Sequence, residues 1–127
     1  GYGFQKEIEW IKNAAPGVSV IVIGPSDMSQ KVDDYYETYP LLESVRDALK
    51  KAAFNAGAGY WDMYEAMGGK NSMPSWVDAD PALAVTDYTH FTPRGARIIS
   101  EFFYKALILE YESYNNQKIR DGLSQNP

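Results

Sequence analysis

Phe4, Ile8 and Ile11 recur at helical spacing and predict an amphipathic helix that ends in the turn-forming run Asn13 to Gly17. The pattern then changes. Val18-Ser19-Val20-Ile21-Val22-Ile23 is β-branched and apolar on both faces, whereas a half-exposed strand would alternate. It therefore predicts a strand covered on both sides, as in a parallel sheet, and Gly24-Pro25-Ser26-Asp27 stops it with turn chemistry. Residues 28 to 40 are polar and tyrosine-rich and read as a loop over the carboxyl end of that strand.

Leu42, Val45, Leu49, Ala52, Ala53 and Ala56 make one face of a second helix, with Glu43, Arg46, Asp47, Lys50 and Lys51 on the other. Gly57 stops that helix. Tyr60 to Tyr64 reads as a shorter strand, and Ala66 to Val85 as a long irregular loop. The last helix opens with Thr92 as N-cap and Pro93 at its first position, and Ile99, Phe102, Phe103, Ala106 and Leu107 supply its buried stripe. Beyond about Tyr114 the chain turns polar, so residues 1–114 read as the folded portion and 115–127 as a frayed tail.

Helix and strand alternate, which predicts an α/β fold with helices on both faces of a parallel sheet. Two parallel strands do not make a stable sheet, and Val18 to Ile23 has the composition of a central strand. The sheet is therefore expected to be completed from elsewhere. Either amino-terminal strands are missing or another chain supplies them, a second copy in a homo-dimer included.

Composition narrows the chemistry. At 127 residues the chain fits one domain. A net charge of −5, with no basic cluster, gives no drive toward nucleic acid. The absence of cysteine excludes a disulfide framework, a thiolate metal site and a cysteine nucleophile. No apolar run exceeds four residues, far short of a membrane span.

The single histidine is the most informative residue. His90 stands in Asp87-Tyr88-Thr89-His90-Phe91-Thr92-Pro93-Arg94-Gly95, between the long loop and the capped helix. Loops that end at helix starts are where α/β enzymes carry reactive side chains. An aspartate three residues before a histidine can fold back onto the imidazole, accept the Nδ1 proton and leave Nε2 as a general base. The plain alternative is a surface histidine bonding locally beside a helix start.

The segment Asp87 to Gly95 resembles the final catalytic block of SGNH/GDSL-type serine esterases, whose signature is Asp-x-x-His before the last helix. The strand ending in Gly24-Pro25-Ser26-Asp27-Met28 looks like the fourth strand of that family. Gly68-Gly69-Lys70-Asn71-Ser72-Met73, followed by Trp76, resembles the loop before the block in bacterial members of acetyl-esterase type. The resemblance spans roughly residues 4 to 112. It implies the carboxy-terminal half of a flavodoxin-like three-layer α/β/α sandwich, with His90 as general base, Asp87 as its orienting carboxylate, and neither metal nor cofactor. A carbohydrate acetyl ester is the implied substrate class, and export to the periplasm or the extracellular space the implied location.

The departure is large. No Gly-Asp-Ser nucleophile block occurs, and no Gly-x-Asn-Asp stands before Val18, so the nucleophile and most of the oxyanion hole are expected upstream of Gly1. Ser26 follows the buried strand but lacks the Gly-x-Ser-x-Gly elbow, and Ser72 lies in a glycine-rich loop. Both are rejected as nucleophiles and kept as cleft-lining residues. Trp76, after Pro74 in the long loop, is the best candidate for a substrate contact.

Asp78, Asp80, Asp87 and His90 form a loose acidic cluster, but its spacing matches no EF-hand and one histidine without cysteine does not make structural zinc. It reads as a solvated loop. Two functions follow: part of a serine esterase, or a module that binds a glycan or protein without chemistry and completes its sheet with another chain.

Overall fold

In the computed structural model, which describes residues 2–124, helix α1 (Tyr2–Ala14) leads into strand β1 (Ile21–Ile23), a hairpin of β2 (Ser29–Val32) and β3 (Tyr35–Thr38), and helix α2 (Leu42–Asn55). Strand β4 (Gly59–Trp61), the short helices α3 (Met63–Met67) and α4 (Met73–Val77), and the long helix α5 (Pro93–Ser124) complete the chain. Strands β1 and β4 pair in parallel, with Ile21 opposite Gly59, Val22 opposite Tyr60 and Ile23 opposite Trp61. One further bond extends the ladder at each end, from Gly59 N–H to the Val20 carbonyl and from Gly24 N–H to the Trp61 carbonyl, both 2.9 Å.

The period of two along a strand sorts the side chains between two cores. Val22 and Tyr60 face α1 and α2, where Phe4, Ile8, Ala53 and Ala56 pack. Trp61 points the other way and meets Phe103 of α5 edge-on at 5.2 Å between ring centroids. Beside it lies the second core of Met67, Met73, Trp76, Ala84 and Ile99. Helices thus pack on both faces of a parallel sheet, the α/β architecture expected from the pattern.

Helix α2 stops as its sequence predicts. Gly57 takes φ +72°, Ala58 N–H reaches the Ala53 carbonyl at 2.8 Å and Gly57 N–H that of Phe54 at 3.0 Å, which caps the last turn.

Four expectations are corrected. The run Val18 to Ile23 is not covered on both sides: Ile21 is 45% and Ile23 50% exposed. Among the described residues β4 is the one strand paired with β1, so the apolar face beside the free edge stands half open. Residues 28 to 40 are not a loop, since Ser29 pairs with Thr38 and Val32 with Tyr35 across a turn in which Asp33 takes φ +54°. The stretch from Ala66 to Val85 is not irregular throughout, because α4 folds within it and α3 ends in it.

The tail expected to fray beyond Tyr114 continues α5 to Ser124. Neither Gly nor Pro interrupts Arg97 to Asp121, and Gln117 bonds Asp121 and Arg120 along the helix surface. Residues 125–127 of that tail lie outside the described residues. No described helix is long and apolar enough to cross a membrane.

A buried carboxylate ties the loop after β1 to the rest. Asp27 is fully buried. Its Oδ1 accepts from Thr38 Oγ1 at 2.7 Å, and its Oδ2 accepts from the Met73 N–H at 2.8 Å. Thr38 is held in turn by Asn71, whose side-chain oxygen accepts from Thr38 N–H at 2.9 Å and whose own N–H donates to Thr38 Oγ1 at 2.7 Å. One aspartate therefore joins the end of β1, the end of the hairpin and the start of α4.

Candidate active site

Between α4 and α5 the chain makes a tight excursion closed by two backbone bonds, Thr92 N–H to the Leu83 carbonyl at 3.1 Å and Val85 N–H to the His90 carbonyl at 2.8 Å. Ala84 and Phe91 form an antiparallel bridge within it. At the tip, Tyr88 takes a left-handed φ of +56°. Asp87 then folds back along the turn, and its Oδ1 accepts from the Thr89 and His90 N–H groups, both at 3.0 Å. The other oxygen, Oδ2, lies 2.6 Å from His90 Nδ1.

Helix α5 starts immediately beyond the pair. Thr92 Oγ1 accepts from Gly95 N–H at 3.1 Å, the N-cap bond expected from the sequence, and donates to the Ala82 carbonyl at 2.8 Å. Gly95 presses on the backbone of Leu83: a Cβ there would lie 2.7 Å from the Leu83 carbonyl carbon. No larger residue fits that approach without moving the helix.

The two side chains stand in the open, Asp87 46% and His90 77% exposed. Backbone donation from His90, then the His90 side chain and the Thr89 N–H, holds the Asp87 carboxyl down to about 2. An ionised carboxylate at 2.6 Å from Nδ1 makes that nitrogen the donor, which leaves the lone pair of the neutral imidazole on Nε2. The arrangement can take a proton from an external hydroxyl and return it to a leaving group.

The hairpin touches this loop twice. Ser29 N–H donates to the Tyr88 carbonyl at 3.1 Å, and the Tyr36 ring stacks on that of Tyr88, with centroids 3.6 Å apart and planes within 6°. These contacts escaped the sequence reading because residues 28 to 40 read as a loop. The signal was there in the strand-forming residues Val32, Tyr35, Tyr36 and Thr38 on either side of the turn pair Asp33-Asp34.

The other candidate residues are not gathered with His90, and two are corrected. Trp76 does not face a cleft: it is 7% exposed, its Nε1 donates to the Met67 carbonyl at 2.9 Å, and it packs edge-on against Phe91. Ser72 is buried as well, with no hydrogen-bond partner for its Oγ. Helix α4 turns the Trp76 indole into the second core, and Ser72 immediately before it goes under with it. Ser26 sits half-buried after β1. Among the described residues, His90 hydrogen-bonds to no serine. None of these residues forms, among those described, a group of three or more His, Cys, Asp or Glu placed to hold a metal ion.

Compared by sequence, the chain matches no protein-family model and no curated protein. Compared by shape, it does find a match. A solved structure of a peptidoglycan O-acetylesterase superposes on 87% of this chain with a TM-score of 0.79, at 22% sequence identity. The fold is shared with an esterase. The match covers 31% of that neighbour's chain, so this chain corresponds to a minor part of it. At this identity the likeness is one of fold.

Proposed function

We propose that this chain supplies the acid–base pair of a serine ester hydrolase of SGNH type, with His90 as general base, Asp87 as its orienting carboxylate, and the nucleophilic serine contributed from outside these residues. The observation that carries the reading is the 2.6 Å contact between Asp87 Oδ2 and His90 Nδ1 in an exposed loop at the start of α5. The likeness to a peptidoglycan O-acetylesterase supports it and suggests acetyl esters on carbohydrate as the substrate class.

In this mechanism Nε2 of His90 takes the serine hydroxyl proton as the oxygen attacks the ester carbonyl. The proton then passes to the departing alcohol oxygen, leaving an acyl-serine. Water repeats the cycle, giving up its proton to Nε2 and releasing the acid and the free serine. Asp87 keeps Nδ1 protonated throughout and stabilises the imidazolium.

The half-open sheet fits a partial domain. Ile21 and Ile23, with Phe54 at 56% exposure, leave an apolar face beside a free strand edge, which suits the remaining strands of such a domain. The same face would also suit a second copy of the chain, and a tight dimer in light scattering without His90-dependent turnover would favour a binding module instead.

The test is hydrolysis of p-nitrophenyl acetate and of an O-acetylated glycan by the chain joined to its native upstream segment. His90→Ala and Asp87→Ala are expected to lower turnover roughly a thousandfold or more while leaving the fold intact. Wild-type turnover in His90→Ala would end the proposal.

A further inference from the structure

Asp87 and His90 are exposed, so packing of their own side chains does not fix their relation. The bonds that do fix it all pass through the tip of the loop. Thr89 and His90 both present N–H groups to Asp87 Oδ1, and the backbone between them and Asp87 passes through Tyr88 at φ +56°. This left-handed conformation is uncommon for a bulky aromatic residue and persists where the surroundings over-determine it.

Tyr88 donates its N–H to the Val85 carbonyl at 3.0 Å and packs against the second core, and the hairpin holds the rest of it. The Tyr88 carbonyl takes the Ser29 N–H, and its ring lies flat on Tyr36. The hairpin is itself anchored at the far end of β3, where Thr38 bonds the buried Asp27 and Asn71. A continuous path of short contacts therefore runs from the interior, along β3, to the residue between Asp87 and His90.

We propose that Tyr36 is a positioning residue for the Asp87–His90 pair, acting through its stack on Tyr88. The inference rests on the acid–base reading of that pair, and goes beyond it in assigning the hairpin a role in the chemistry. Tyr36 touches neither a reacting atom nor His90. It sets the backbone that makes Asp87 both a turn acceptor and a partner of Nδ1.

The experiment uses the chain as it stands, followed by nuclear magnetic resonance of the Asp87 carboxyl carbon and the His90 Nδ1 proton, with the amide signals of β1 and β4 reporting the fold. In Tyr36→Phe the ring remains, and the Asp87 carboxyl is expected to keep its depressed midpoint near 2. In Tyr36→Ile, which keeps a strand-forming side chain without a ring, the Asp87 midpoint is expected to move back toward 3.8, and the Nδ1 proton signal to be lost to exchange with water. Tyr36→Thr serves the same purpose should the isoleucine variant lose the hairpin. Joined to the upstream segment, both variants are expected to lower kcat roughly tenfold or more with KM unchanged, and Tyr36→Phe to restore it.

An Asp87 midpoint and Nδ1 signal left as in the wild type by the loss of the ring would overturn the proposal. A raised midpoint in a protein whose completed form shows no His90-dependent turnover supports the positioning contact and retires the esterase reading, so the two failures are distinct.

Discussion

Two aspartates in this chain bind in the same manner and do opposite work. Asp27 accepts a hydroxyl and a backbone N–H from residues far away in sequence, Thr38 and Met73, and is wholly buried. Asp87 accepts from Thr89 and His90, its immediate neighbours, and stays open to solvent. The first carboxylate spends its bonds on joining three segments of the fold. The second spends them on a single turn and keeps one oxygen for an imidazole. Partners distant in sequence make a carboxylate a structural joint, whereas partners within one turn, with the side chain exposed, leave it an oxygen for a neighbouring side chain.

Loss of the carboxylate has its largest expected effect at Asp27. Asp27→Ala strands the buried Met73 N–H, which loses its acceptor in a place water does not reach, and takes the acceptor from the half-buried Thr38 hydroxyl. The expected cost is about 3 kcal/mol of folding free energy, read as a lower midpoint in urea unfolding. Asp87→Ala should move that midpoint far less, since its bonds are local and exposed. Equal shifts in the two variants would dissolve the distinction between joint and local turn.

Gly95 sharpens the same contrast, because there the fold bears directly on the site. Its missing side chain lets α5 begin against the Leu83 backbone, beside the bonds that close the Asp87–His90 loop. Gly95→Ala must push the helix start away from Leu83 at a cost of about 2 kcal/mol. Unlike Asp27→Ala, it should also displace His90, and on the proposed function any turnover that depends on His90 should fall further than stability alone accounts for. An alanine variant with wild-type stability would show that the helix start yields freely.

What the sequence made legible follows the same line between local and distant. The α2 stop at Gly57, the Thr92-Pro93 helix start and the folding of Asp87 onto His90 are each decided within a few residues, and each is found where the pattern put it. Trp76 and Ser72 were misplaced for the complementary reason. In one dimension a tryptophan in a polar, proline-containing stretch resembles a surface aromatic. Only the contacts with Met67 and Phe91, across short helices the pattern did not resolve, draw it inside. The hairpin was hidden likewise, since Asp27 and Tyr88, which hold it, lie outside its own residues. The apolar run in β1 read as a covered strand because its composition is that of one, yet the described residues leave Ile21 and Ile23 half exposed.

The smallest expected effect concerns pH. The folded-state pKa of Asp87 is lowered from 3.8 to about 2, so the native state holds this carboxylate ionised where the unfolded chain would begin to protonate it. Its contribution to stability is complete above about pH 4 and is lost as pH falls through about 2. Wild type and Asp87→Asn should therefore differ by a small amount in thermal unfolding at about pH 4, and the difference should close below that. A gap that closes near neutrality would assign the linkage to another group. One that persists at the lowest pH would mean that the asparagine disturbs the turn itself, through the N–H bonds of Thr89 and His90, rather than the charge that Asp87 presents to Nδ1.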